Sequence, residues 1–112
     1  MLRRLIIATV LLVAAATAPA MAQCDTRFNF VNRSSVQVNE FYFGPSTNSN
    51  WGRDRLGENV LPAGRQVRFD TGRPGAHDFR IVWSNGETAE LMRVDICATN
   101  EITATQRGIE AR

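Results

Sequence analysis

His77-Asp78-Phe79-Arg80-Ile81-Val82-Trp83-Ser84-Asn85-Gly86-Glu87-Thr88-Ala89-Glu90-Leu91-Met92-Arg93-Val94 decides the fold class. Asn-Gly between two extended runs is a strong hairpin signal, because a type I′ turn needs positive φ at both central positions. A two-residue turn sets Ser84 opposite Glu87. It then places His77, Phe79, Ile81 and Trp83 on one face with Thr88, Glu90, Met92 and Val94, the mostly apolar face and hence the expected core side. The other face carries Asp78, Arg80 and Val82 opposite Arg93, Leu91 and Ala89. That register predicts an Asp78–Arg93 cross-strand ion pair worth about 0.2–1 kcal/mol.

Outward from the hairpin, short alternating runs separated by turn residues replace any sustained helical period. Thr26 to Asn32 alternates with Phe28 and Phe30 on one face, and Asn32-Arg33-Ser34-Ser35 turns the chain. In the run Val36 to Phe43 the two valines share one parity and Phe41 and Phe43 the other. A β-bulge near Asn39-Glu40 brings both pairs inward; the alternative keeps Tyr42 inward and turns the phenylalanines to the opposite face. Gly44 to Asn50 reads as a polar loop, and Trp51 to Asn59 as a segment with one helical turn. Pro62 and Gly64 mark a turn, Arg65 to Asp70 alternates with Val67 and Phe69 inward, and Thr71 to Ala76 is a Gly/Pro loop. Beyond Cys97, Asn100 to Thr105 reads as a final strand and Gln106 to Arg112 as a frayed tail.

The N-terminus has the anatomy of a secretory signal: Arg3 and Arg4, the apolar run Leu5 to Ala18, and Ala20-Met21-Ala22 ahead of Gln23. The apolar run is too short for a membrane anchor. Residues 1–22 are thus expected to be a cleaved signal peptide and 23–112 a single domain, periplasmic or secreted. The arginine pair lacks the other residues of a twin-arginine motif, which fits Sec export better. Gln23 stands where a lipobox wants a small residue, which argues against lipidation of Cys24. Subtracting Arg3 and Arg4 from the 13 basic residues leaves 11 against 11 acidic ones. The mature chain is formally neutral, without the basic footprint of a nucleic-acid binder. Cys24 and Cys97 are the only cysteines, and in a small exported domain such a pair is read as a disulfide. Closing their separation of 73 residues stabilises the fold by at most about 4 kcal/mol in the chain-entropy model.

Several stretches together resemble a family of small exported proteobacterial proteins of unknown function. They are Phe30-Val31-Asn32-Arg33, Tyr42 to Ser46, Trp51-Gly52-Arg53-Asp54-Arg55-Leu56-Gly57, Val60-Leu61-Pro62-Ala63-Gly64, His77 to Val82, Asn85-Gly86 and Val94-Asp95-Ile96-Cys97. The resemblance covers roughly Phe28 to Thr105. Many of the family have a cysteine where this chain has Gly75 or Ala76, so here Cys24 is left as the partner of Cys97. Some relatives carry an argininosuccinate lyase label, but the mature chain lacks that enzyme's long helical core and its Gly/Ser-rich signature loop.

The candidate chemistry is sparse. The single histidine, His77, points toward the core while Asp78 points away, a poor acid–base dyad, and the resemblance implies an aromatic there. No nucleophile elbow, P-loop, zinc cluster or His-Glu-x-x-His occurs. The loop from Gly44 to Asp54 offers Ser and Asn oxygens but one carboxylate, too few for a calcium site; Trp51 in it either caps the core or stacks on a ligand. Asp54 with Arg53 and Arg55, and Asp78 with Arg80 and Arg93, form either solvated ion pairs or a face for a carboxylate-bearing partner.

The expectation is an all-β antiparallel sandwich of six or seven strands with one short helical turn and a Cys24–Cys97 disulfide. Its expected role is that of a non-catalytic binding module of the cell envelope without cofactor or metal, meeting an envelope protein or small ligand through Trp51, Asp54, Arg80 and Arg93. A small periplasmic hydrolase or lyase, and a structural or chaperone-like protein pairing through a strand edge, are the alternatives.

Overall fold

The computed structural model describes residues 23–112; the expected signal peptide lies outside the described residues. Seven strands follow one another: β1 (Arg27–Asn32), β2 (Val38–Pro45), β3 (Gln66–Asp70), β4 (Ala76–Trp83), β5 (Thr88–Asp95), β6 (Glu101–Thr105) and β7 (Gly108–Ala111). They form two sheets, β3-β1-β6-β7 and β2-β4-β5. This is the all-β sandwich that the alternating runs predict. All pairings are antiparallel except β1 with β6, which is parallel. The disulfide staples the start of this pair: Cys24 and Cys97 lie just before β1 and β6, with Cα atoms 4.9 Å apart. Both strands leave the same clamp in the same direction.

The interior is aromatic. Phe28 and Phe30 of β1, Phe41 and Phe43 of β2, and Phe79 of β4 are buried, with Phe69 of β3 packed against them. Phe30 stacks on Phe41 with ring centroids 3.7 Å apart, and Phe28 meets Phe43 and Phe79 edge to face at 5.3 and 5.5 Å. Such pairs add about 0.5–1.5 kcal/mol each beyond the burial of their area.

The predicted bulge is present: the β2–β4 register shifts between Val38 and Glu40, so Val38, Phe41 and Phe43 all face inward opposite Trp83, Ile81 and Phe79. The hairpin departs from expectation. Asn85 does not take a positive φ; only Gly86 does, at 88°. Ser84 to Gly86 form a three-residue loop closed by Trp83 N–H donating to Glu87 O at 2.8 Å, the arrangement in which a glycine in the left-handed region completes the turn. The register is therefore one residue off the two-residue case, with Val82 opposite Thr88 and Phe79 opposite Leu91. Ala89 and Leu91 turn inward, and Met92 turns outward, 49% exposed. A second register shift, between His77 and Phe79, returns Val94 to the core.

Two further expectations are corrected. Residues 55–58 form turns rather than a helical turn, and a 3-10 turn instead spans Ile96–Ala98, where the Asp95 carboxylate accepts from Cys97 N–H. The C-terminal segment is not frayed. β7 pairs with β6, Ile109 packs against the core, and Arg112 exchanges backbone bonds with Glu101 at 2.9 and 3.0 Å. Gly108 makes this possible. Its φ is 135°, a backbone conformation that side-chain-bearing residues rarely adopt, and it lies beside Ala89 of β5, where the two sheets meet.

On the outer face of β2, the Tyr42 hydroxyl donates to the Glu40 carboxylate. That bond, then burial and the Glu40 charge, push the phenol from 10.0 up to about 12. A pKa raised in the folded state stabilises the fold below the unfolded value and is lost as pH climbs through the folded one. Tyr42 is the only tyrosine, so tyrosinate absorbance reports it alone. Its midpoint is expected near 12 in the wild type, and nearer 10 in Glu40→Gln.

Candidate functional site

β2 lies at the border of its sheet, and the chain covers its open edge. The Asp54 Oδ1 atom accepts from the backbone N–H of Phe41 and of Leu56, both at 2.9 Å. Arg55 N–H donates to Phe41 O at 2.6 Å. The Arg55 guanidinium donates to Phe43 O at 2.9 Å while lying 4.1 Å over the Phe43 ring. Burial, and secondarily the charge of Arg53, lower its pKa. Val38 and Leu61 exchange backbone bonds at 2.9 Å farther along. An exposed edge is a template for unwanted pairing; here Asp54 and its neighbours close it. Asp54, read from the sequence as an interaction residue, is thus engaged with the backbone of its own fold.

Trp51 and Arg93 do converge. They line a cleft of about 260 Å³ together with Ser46, Asp78, Glu90 and Met92. Its loop wall is built by side chains that turn their own backbone: Asn48 Oδ1 accepts from Asn50 N–H and Asn50 Oδ1 from Gly52 N–H, each at 2.9 Å. Across the cleft, β5 carries an extra residue opposite Asp78. The Asp78 carboxylate accepts the Arg93 N–H at 2.9 Å and the Ser46 hydroxyl at 2.6 Å. The predicted Asp78–Arg93 ion pair is therefore replaced by a carboxylate-to-backbone bond. Arg93 has φ 56°, the single positive value outside glycine among the described residues. Its guanidinium forms no ion pair among them. The one-residue register change puts Arg80 opposite Glu90, and the two pair at 2.7 Å on the cleft's border. Sequence reasoning missed Met92, because it took the wrong face of β5 as the inner one.

His77 is buried, and its Nδ1 lies 3.0 Å from the Gly75 carbonyl, a partner that only a protonated nitrogen can use. Its Nε2 is buried without a partner. Asp78 faces the other way, as alternation along a strand requires. No group of three or more His, Cys, Asp or Glu residues suited to a metal ion occurs among the described residues.

A second, larger cleft of about 480 Å³ opens at the end of the sandwich between the β4–β5 and β6–β7 turns. Trp83 forms part of its floor, with Nε1 donating to the Ser34 hydroxyl at 3.1 Å. Ser34 in turn lies 2.6 Å from Asn32 Oδ1, and the buried Asn32 amide donates to Val36 O and Leu61 O at 2.8 and 3.0 Å. Treating the C-terminal segment as frayed hid this cleft from sequence reasoning. The polar pair Gln106-Arg107 followed by Gly108, between Thr105 and Ile109, was the turn signal that a returning strand leaves. No helix among the described residues is long and apolar enough to cross a membrane. No family model, curated protein or solved structure matches the chain.

Asp54→Ala strands the Phe41 amide on the covered edge of β2 and is expected to destabilise the protein by about 1–3 kcal/mol. Arg53→Ala, at an exposed residue, is expected to stay within about 0.5 kcal/mol of wild type. Urea unfolding of both variants measures the contrast, and equal small effects would remove the role given to Asp54.

Proposed function

We propose that this chain is an exported, non-catalytic binding module of the bacterial envelope that holds a partner in the Trp51–Met92–Arg93 cleft. The observation that carries this reading is the meeting of a half-buried indole, an exposed Met92 side chain and an unpaired guanidinium in one concavity. Trp, Met and Arg are the residues that interface centres favour, because they bury large contact areas. A partner presenting a carboxylate beside an apolar group suits that combination. The left-handed conformation of Arg93 adds weight. A non-glycine residue there costs on the order of 1–3 kcal/mol and persists where surrounding structure enforces it. Asp78 and Ser46 supply that enforcement.

Export rests on the signal-like N-terminus, on a disulfide that an oxidising compartment sustains, and on the resemblance to exported proteobacterial proteins. The strand-edge alternative finds less support. β2 is covered, and β3 is short and carries Arg68 and Asp70, the charged character that discourages pairing. A hydrolytic or lyase role would need an acid–base pair, and the partner of the His77 ring is a carbonyl.

Crosslinking and affinity capture from the native envelope, run side by side with Trp51→Ala and Arg93→Gly, test the cleft. Arg93→Gly removes the guanidinium while relaxing the backbone. It is expected to match or exceed wild-type stability by up to about 1 kcal/mol and to lose capture, as does Trp51→Ala. Undiminished capture by both variants would contradict the assignment.

A further inference from the structure

The larger cleft belongs to a different part of the molecule from the Trp51 site, and its chemistry differs. One wall comes from each sheet: Asn85, Glu87 and Thr88 from the β4–β5 side, Gln106 and Arg107 from the β6–β7 turn. Its volume of about 480 Å³ lies in the range of small-molecule sites, about 300–1,000 Å³. Glu87 and Arg107 both line it, yet neither forms an ion pair with the other or with any other group among the described residues. A carboxylate and a guanidinium thus stand on opposite walls, both exposed, with their charges unspent.

Both walls are pinned from within. Asn85 Oδ1 accepts from Glu87 N–H at 3.0 Å, which fixes the first turn and leaves the Asn85 amide protons free. In the second, Thr105 Oγ1 accepts from Arg107 N–H at 3.1 Å, and Gln106 Nε2 donates to the Ser35 hydroxyl at 3.1 Å, leaving the Gln106 carbonyl oxygen free. The floor is fixed by the Trp83–Ser34–Asn32 chain of hydrogen bonds. The backbone of both walls is thus fixed before a ligand arrives, and the ordering left to impose is that of the exposed Glu87 and Arg107 side chains.

From these placements we infer that the end cleft binds a short peptide with free termini, its carboxylate on Arg107 and its ammonium on Glu87. A zwitterion gains from both walls at once, and Asn85 and Gln106 offer the free donor and acceptor that a peptide bond uses. A neutral polyol gains from neither charge. The indole of Trp83 gives the ligand an apolar base.

Trialanine, about 10 Å long when extended, is the probe, titrated into the exported, disulfide-bonded protein and followed by amide chemical shifts. The shifts are expected to cluster at Asn85, Glu87, Gln106 and Arg107. N-acetylating or C-amidating the peptide should each weaken binding about tenfold, the scale of one charge-assisted contact. Arg107→Gln should become indifferent to amidation and Glu87→Gln to acetylation, with thermal unfolding of both unchanged. Absence of binding at millimolar peptide, shifts confined to the Trp51 cleft, or equal binding of cellobiose would each overturn the assignment.

Discussion

Phe30 of one sheet lies flat on Phe41 of the other, and every other phenylalanine of the chain gathers around Phe28 and Phe41. This shared aromatic interior constrains everything else, because strands from both sheets must direct their rings into it. β4 does so with unbroken alternation, from His77 through Phe79 and Ile81 to Trp83. Its two neighbours cannot. β2 must bring in Val38 as well as Phe41 and Phe43, and β5 must bring in Leu91 as well as Val94; both pairs of positions differ in parity. Each strand resolves the conflict by adding a residue, which leaves backbone N–H groups out of step with the ladder.

A carboxylate meets a backbone N–H near each irregularity, one on the open edge of β2 and one inside the β4–β5 ladder. Asp54 accepts the Phe41 N–H beside the first bulge and Asp78 accepts the Arg93 N–H at the second. Two carboxylates that look like surface charge in the sequence are therefore tied to the backbone of the strands that feed the core. The candidate site is coupled to the second of these irregularities. The bulge that lets β5 feed the core with Val94 is also what projects Met92 and Arg93 toward Trp51. Fold and candidate site share one irregularity, so the residue with the strained backbone is also the one with the free charge.

Much of the architecture was legible in the residues. The parity change between Val38 and Phe41 gave the first bulge, the alternation of Phe28 with Phe30 and of Val67 with Phe69 gave the inward faces, and cysteine count gave the disulfide. The hairpin was located correctly but its loop was not. Asn85-Gly86 fits both a two-residue turn with two positive φ values and a three-residue loop with one, and local sequence does not separate them. Both faces of β5 carry apolar side chains, Met92 and Val94 against Ala89 and Leu91, so alternation there was ambiguous until packing against β4 chose. β7 was missed because Ile109 is its one large apolar residue, and that residue is buried only by packing against strands distant in the sequence, although the pairing with β6 is local. Of the four residues read as an interaction face, Trp51 and Arg93 line one cleft, Arg80 borders it through Glu90, and Asp54 lies under the edge of β2.

The dependence of the aromatic interior on these two carboxylate-held strands can be measured on the wild-type protein by amide hydrogen exchange resolved by residue. The Phe41 and Arg93 amides, each bonded to a carboxylate rather than to a neighbouring strand, are expected to exchange as slowly as the flanking ladder amides of β2 and β5. Exchange of either amide at the rate of an unprotected loop, with its neighbours still protected, would show that the carboxylates do not hold the strands in register.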